Sequence, residues 1–277
     1  MKTILVIANE TLGGAKLLEV IKEHAGSDSR VVVCVPRNKP KHGNIIYDDF
    51  VFDAAKVRID LARRFLRDLG ISAIGDIGDP DPYTAAMDAV AEHRPDEIIV
   101  STYPATISGW LRRDLIERIQ QASGLPVTHV VQDIDAEGIP FHVTLVVAAR
   151  TASADELLHS LKEKAGEDKR GTLFIVTVPQ EGGEGQHAAR ARARMAQVVD
   201  RIIAEGLIGA GMIGDPDPYT ATMNTLQFFR VDDIIISTLP ATRSGWMRAD
   251  LIERVRKSSH LPVQHVETAE RSASNAA

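Results

Sequence analysis

The chain has 277 residues, 44% of them hydrophobic and 25% charged, with a net charge of −6. That length suits two domains of ordinary size, and the negative charge gives no general attraction to nucleic acid or to an anionic membrane. One cysteine excludes an internal disulfide framework, and no apolar run approaches the roughly 20 residues of a membrane span.

Lys2–Asn9 (KTILVIAN) is a continuous apolar run, the pattern of a strand buried on both faces. A helix is expected over about Gly14–Ala25 and a second apolar strand at Val31–Val35, where Cys34 reads as a small buried hydrophobe. Phe50–Leu69 has apolar residues at helical spacing; Ser72–Ile77 reads as a third strand, Pro82–Arg94 as a helix and Glu97–Thr102 as a fourth strand. A helix from about Gly109 to Ser123 and a strand at Val127–Val131 close the unit. The alternation predicts a parallel sheet with right-handed crossovers and helices on both faces.

The second half repeats this order. Its strands are expected at Val143–Ala149, Leu173–Val178, Leu207–Ile213, Asp233–Ser237 and Val263–Val266, with a long helix over about His187–Glu205. Gly78–Val131 and Gly214–Glu267 align at a constant offset of 136, with 33 of 54 residues identical. A period that long marks a duplicated domain, since solenoids repeat at roughly 20–50 residues. Residues 1–133 are expected to form the first domain, 134–140 a linker, 141–268 the second domain and 269–277 a disordered tail.

GDPDPYTA, ST-x-PAT-x-SGW and DLIER are identical in both halves, whereas apolar positions drift conservatively. Loops held more tightly than a core suggest a task performed by loops; recent duplication is the plainer explanation. Ligands of open parallel sheets sit beyond the carboxyl ends of the strands. Asn9, Thr11, Gly13 and Gly14 follow the first strand, where glycines permit close approach and a helix N-terminus attracts anions. Asp81 is placed as an N-cap with Pro82 at the first helical position, while Asp79 and Asp215 lie beside the proposed cleft. Ser101, Thr102, Ser108, Gly109 and Arg112 leave the fourth strand, with Ser108 as the expected cap of the following helix. Their second-half equivalents are Ser237, Thr238, Ser244, Gly245 and Arg248. Hydroxyls, free N–H groups and an arginine make an anion site, or else Ser108 only caps and Trp110 only anchors. The loop after the second strand is basic in the first half (Arg37, Lys39, Lys41, His42), whereas residues 180–185 carry two acids and no base. Anions are therefore expected to prefer the first half.

At these residues the chain resembles the universal stress protein family in its tandem two-domain form. The likeness is carried by Gly78-Asp79-Pro80, by the run from Asp96 through Asp114–Arg118 to Leu125-Pro126-Val127, and by Asp232–Ile236, Asp250–Arg254 and Leu261-Pro262-Val263. The resemblance implies two Rossmann-like α/β domains, each a five-stranded parallel sheet of order 3-2-1-4-5, with a nucleotide between the ends of strands one and four. It also implies that the last strands of the two halves pair as a pseudo-dimer, with a homodimer as a further possibility. The implied role is stress response through ATP or AMP binding. The family's Gly-x2-Gly-x9-Gly-Ser/Thr loop is here STYPATISGWLRRDL, with Gly109 as its one glycine. Binding of ATP is accordingly expected to be weak.

The sequence favours a non-catalytic, cytoplasmic binder of a nucleotide or small anion, acting mainly through the first half. A ligand-free protein-interaction module is the alternative, and a slow nucleotide hydrolase ranks below both. No motif requires a metal, and neither nucleic acid nor membrane is an expected partner. No Walker motif, catalytic triad order or zinc-ligand pattern occurs, and His129 and His265 read as structural.

Overall fold

The computed structural model describes residues 1–38, 48–106, 108, 110, 114–180, 186–240 and 250–268. The chain divides into two compact units between Pro140 and Phe141. Each contains one five-stranded, all-parallel sheet with helices around it, as expected.

In the first unit the strands are β1 (Lys2–Ile7), β2 (Ser29–Pro36), β3 (Ser72–Gly78), β4 (Glu97–Thr102) and β5 (Val127–Val131). Their order is β3-β2-β1-β4-β5, so the chain moves outward from β1 first to one side and then to the other. That reversal opens a crevice beyond the carboxyl ends of β1 and β4. The helices are α1 (Ala15–His24), α2 (Asp48–Asp68), α3 (Pro82–His93), α4 (Leu115–Ser123) and the four-residue α5 (Ile134–Glu137). Side-chain alternation along β1 feeds two layers. Ile4 and Val6 pack with Leu17, Ile21 and Leu66, whereas Leu5 and Ile7 pack with Ala85, Ala89, Leu115 and Ile119. Burial on both faces explains why β1, β2 and β4 read as unbroken apolar runs. The polar stretch after β5 holds α5, capped by Asp133, whose side chain accepts from the Asp135 and Ala136 amides.

The second unit has β6 (His142–Ala148), β7 (Thr172–Pro179), β8 (Ile208–Gly214), β9 (Asp233–Thr238) and β10 (Val263–Glu267), ordered β8-β7-β6-β9-β10. Its helices are α6 (Asp155–Glu167), α7 (Gln186–Ala204), α8 (Pro218–Phe228) and α9 (Leu251–Ser259). Leu157, Leu161, Phe174, Val176, Val198 and Ile202 form its main buried cluster. The tail from residue 269 lies outside the described residues.

The duplicated loops turn out to have packing roles. Gly78 faces the Ala85 Cβ so closely that an added Cβ would lie 2.5 Å from it, and Gly214 meets Ala221 in the same way at 2.6 Å. Asp79 Oδ1 accepts from the Asp81 amide at 2.8 Å, a turn repeated by Asp215 and Asp217 at 2.9 Å. Asp81 and Asp217 then cap α3 and α8 through the Thr84 and Thr220 amides. Tyr83 carries the Arg118 guanidinium 4.0 Å above its ring, and Tyr219 carries Arg254 at 4.2 Å. These two pairs tie GDPDPYT to DLIER, which accounts physically for their shared identity.

One expected boundary is corrected. Helix α4 begins at Leu115 and not near Gly109, so Ser108 does not cap it. Its N-cap is Asp114, held at φ 48°, and the equivalent Asp250 has the same φ ahead of α9. A left-handed residue cannot continue a right-handed helix, which sets the start at the next residue.

Candidate functional site: a cleft in the first unit

A cleft of about 800 Å³ opens at the carboxyl edge of the first sheet. It is built from four directions. Asn9, Glu10 and Thr11 follow β1, Arg37 and Asn38 follow β2, Pro80–Pro82 lead from β3 into α3, and Ser101–Tyr103 end β4. Asp48 and Val51 from the start of α2, with Ser108 and Trp110, complete the described lining. The volume is that of a small-molecule site.

Of the residues expected to bind, Asn9, Thr11, Ser101, Thr102 and Ser108 are brought together here. Gly13, Gly14 and Asp79 are not among the lining residues. Gly109, Arg112, Ser244, Gly245 and Arg248, with Lys39, Lys41 and His42, fall outside the described residues.

The expected glycine turn after β1 is a short 3-10 segment, Glu10–Gly13, and Gly14 caps α1 with an extended backbone (φ −75°, ψ 145°). What Gly14 makes room for is Gln132: an added Cβ would lie 2.1 Å from its Oε1. Gln132, directly after β5, is 1% exposed. Its Nε2 donates to the Thr11 carbonyl at 2.6 Å and to Ser101 Oγ at 3.1 Å, and its Oε1 accepts from the Leu17 amide at 3.4 Å. A neutral amide oxygen therefore meets the first turn of α1, where an anion was expected. Thr11 Oγ1 donates to the Ser101 carbonyl at 3.2 Å, pinning the turn to β4.

Asn9 is 5% exposed and donates through Nδ2 to the Pro36 carbonyl at 2.8 Å, while its Oδ1 has no partner among the described residues. With the Asn38 amide turned so that both of its ends find partners, its oxygen accepts from Trp110 Nε1 at 2.8 Å and its nitrogen donates to the Pro80 carbonyl at 3.0 Å, tying three walls together. Arg37 donates through Nε to the Gly78 carbonyl at 3.2 Å. Its terminal guanidinium nitrogens have no partner among the described residues. Three acids, Glu10, Asp48 and Asp81, line the same cleft.

Burial, and then the Glu10 carboxylate, push the Tyr103 phenol well above its ordinary range, so it remains a neutral hydroxyl. Burial lowers Arg58 to about 10, against the opposing pull of Glu10 and Tyr103, and it stays cationic at neutral pH. Thr102 Oγ1 lies 2.9 Å from His129 Nε2, and Thr238 lies 2.8 Å from His265 Nε2. Burial lowers His129, so its ring is neutral, in keeping with a structural role. Cys34 is buried and pushed up to about 12, first by burial and then by Asp76 and Asp88, which makes it a poor nucleophile.

In the second unit Thr151 Oγ1 repeats the bond of Thr11, donating to the Ser237 carbonyl at 2.9 Å. Thr268 takes the place of Gln132, and Ser237 Oγ has no partner among the described residues. Gln180 stands where Arg37 stands: both amides reach the carbonyl of the glycine ending the third strand, Gly214 and Gly78 respectively.

No protein-family model and no curated protein matches the chain. Among solved structures it is similar to a universal stress protein from Archaeoglobus fulgidus DSM 4304, at 17% identity and a TM-score of 0.35, over 98% of this chain and 97% of that one. It is also similar to a universal stress protein family protein from Arabidopsis thaliana with AMP bound, at 12% identity and a TM-score of 0.34, over 49% of this chain and 95% of that one. A functionally unknown protein from Pseudomonas aeruginosa PAO1 aligns at 17% identity and a TM-score of 0.31, over 97% and 93% of the two chains. Two of the three are thus structures of the family that the sequence resembles. No described helix is long and apolar enough to cross a membrane.

Proposed function

We propose that the chain is a non-catalytic, cytoplasmic protein of universal-stress type that binds a mononucleotide such as AMP, or a similar small anion, in the cleft of its first unit. The observation that carries this reading is Arg37. Its terminal guanidinium nitrogens are unpartnered among the described residues, and it lines the same cleft as the hydroxyl-bearing Tyr103 and Ser108. A guanidinium is a strong phosphate partner, and hydroxyls suit a sugar. The bare acceptor Asn9 Oδ1 adds a place for a ligand N–H. The second unit, with Gln180 in place of Arg37, binds the same ligand less well.

Three phosphates fit this site poorly. Glu10, Asp48 and Asp81 oppose added negative charge, and the first turn of α1 is occupied by Gln132. Pro104 has no N–H, and Thr102 and Thr106 are β-branched, which disfavours the positive φ of a phosphate cradle. Calorimetric titration of the full chain is expected to give micromolar-to-millimolar affinities, with AMP within about tenfold of ATP. Submicromolar ATP with much weaker AMP would overturn the reading, as would turnover of added ATP.

A further inference from the structure

We propose that Asp76, Glu92 and His93 form a binding site for a divalent transition metal of the zinc type. Asp76 is near the end of β3, and Glu92 and His93 are the last two residues of α3. One ligand atom from each lies within 4.8 Å of the other two. His93 Nε2 is 3.2 Å from Asp76 Oδ2. Two atoms each bonded at about 2.0–2.1 Å to a tetrahedral zinc stand about 3.3–3.4 Å apart, so this pair already has the spacing of one coordination edge. Asp76 and His93 are partly buried and Glu92 is exposed, which leaves the fourth position open to water. An imidazole with two carboxylates suits zinc or its neighbours and is a poor donor set for magnesium, which prefers oxygen alone.

The fold itself does not demand these residues. At the matching positions of the second half stand Met212, Phe228 and Phe229, and Met212 and Phe228 are buried. None of the three proposed ligands lines the cleft, so the site is separate from the proposed nucleotide site.

Calorimetry of the full chain with zinc chloride, in a chelator-free buffer, tests the proposal. One site of about micromolar affinity is expected, weakened at least tenfold in His93→Ala and in Asp76→Asn, with magnesium chloride silent. Equal titration of the parent and both variants would place binding on other histidines and overturn the proposal, as would a silent zinc titration. Because either variant also loses the His93–Asp76 pair, the unaltered protein supplies a second readout. The His93 imidazole NMR resonances should shift with the first equivalent of zinc, and resonances that stay put would refute the site.

Discussion

Replacing Gln132 by alanine is expected to destabilise the first unit by about 3 kcal/mol, since it strands buried polar groups and opens a cavity at once. The amide now satisfies the Thr11 carbonyl, Ser101 Oγ and the Leu17 amide, all in buried surroundings. Gly14 provides the test of mechanism, because its missing Cβ is the space that the Gln132 amide fills. Its backbone is extended, so alanine costs nothing in φ there. Gly14→Ala alone should therefore destabilise by displacing Gln132, whereas Gly14→Ala added to Gln132→Ala should recover part of the loss by filling the void. Urea unfolding of the four proteins forms a double-mutant cycle. Strictly additive changes would show that the two residues do not share this space.

In the second unit the largest effect is expected at Asp233. This buried carboxylate accepts from Thr144 Oγ1 at 2.7 Å, lies 2.9 Å from His142 Nε2 and pairs with Lys164 at 2.6 Å, joining β6, β9 and α6. Asp168 and Asp232 also face His142, and Glu167 also faces Lys164. Burial works to raise Asp233, but the hydrogen bonds from Lys164, Thr144 and His142 outweigh it and hold the carboxyl below its ordinary range. An asparagine removes the charge that faces Lys164, and only with its nitrogen turned to the Thr144 hydroxyl, which can accept, does it avoid setting donor against donor, so Asp233→Asn should cost about 2–3 kcal/mol at pH 7. The folded-state value is depressed, so the stabilisation is fully present above the unfolded value of about 3.9 and is lost as pH falls through the folded one. Lys164 is shifted the other way, upward: burial opposes the shift, and the Asp233 and Glu167 hydrogen bonds win. Its contribution is present below about 10.4 and is lost as pH rises through the raised value. Urea unfolding of parent and variant should give a difference that is largest between these limits and narrows below pH of about 4. A difference that persists unchanged in acid would mean that the carboxylate's charge is not what stabilises the unit.

The sheet was legible because its physics is written locally. Strands buried on both faces must be continuous apolar runs, and β1, β2 and β4 are. The duplication made the second unit readable from the first. The loops were harder. Identity of GDPDPYT and DLIER in both halves suggested ligand contact, yet Gly78, Asp81 and the Tyr83–Arg118 pair show that close packing and capping constrain loops just as tightly. The helix expected from about Gly109 overruns the observed start of α4, since nothing in Arg113-Asp114-Leu115 announces a left-handed aspartate. Gln132 is hard to read as a site residue because its partners lie 31 and 121 residues away in sequence. Its one signal was the change to Thr268 in the second half. Arg37 is visible as part of a basic loop, but that it lines one cleft with Ser101 and Thr102 is set by the fold.

The central claim is that a small anion binds the first unit, through Arg37. Calorimetry with AMP on the parent, Arg37→Gln and Gln180→Ala tests it most directly, because Arg37→Gln copies the second unit's residue into the first. Loss of one charge-assisted contact should weaken AMP by about 10- to 100-fold in Arg37→Gln, with Gln180→Ala unchanged. Undiminished binding in Arg37→Gln, or a loss confined to Gln180→Ala, would contradict the account.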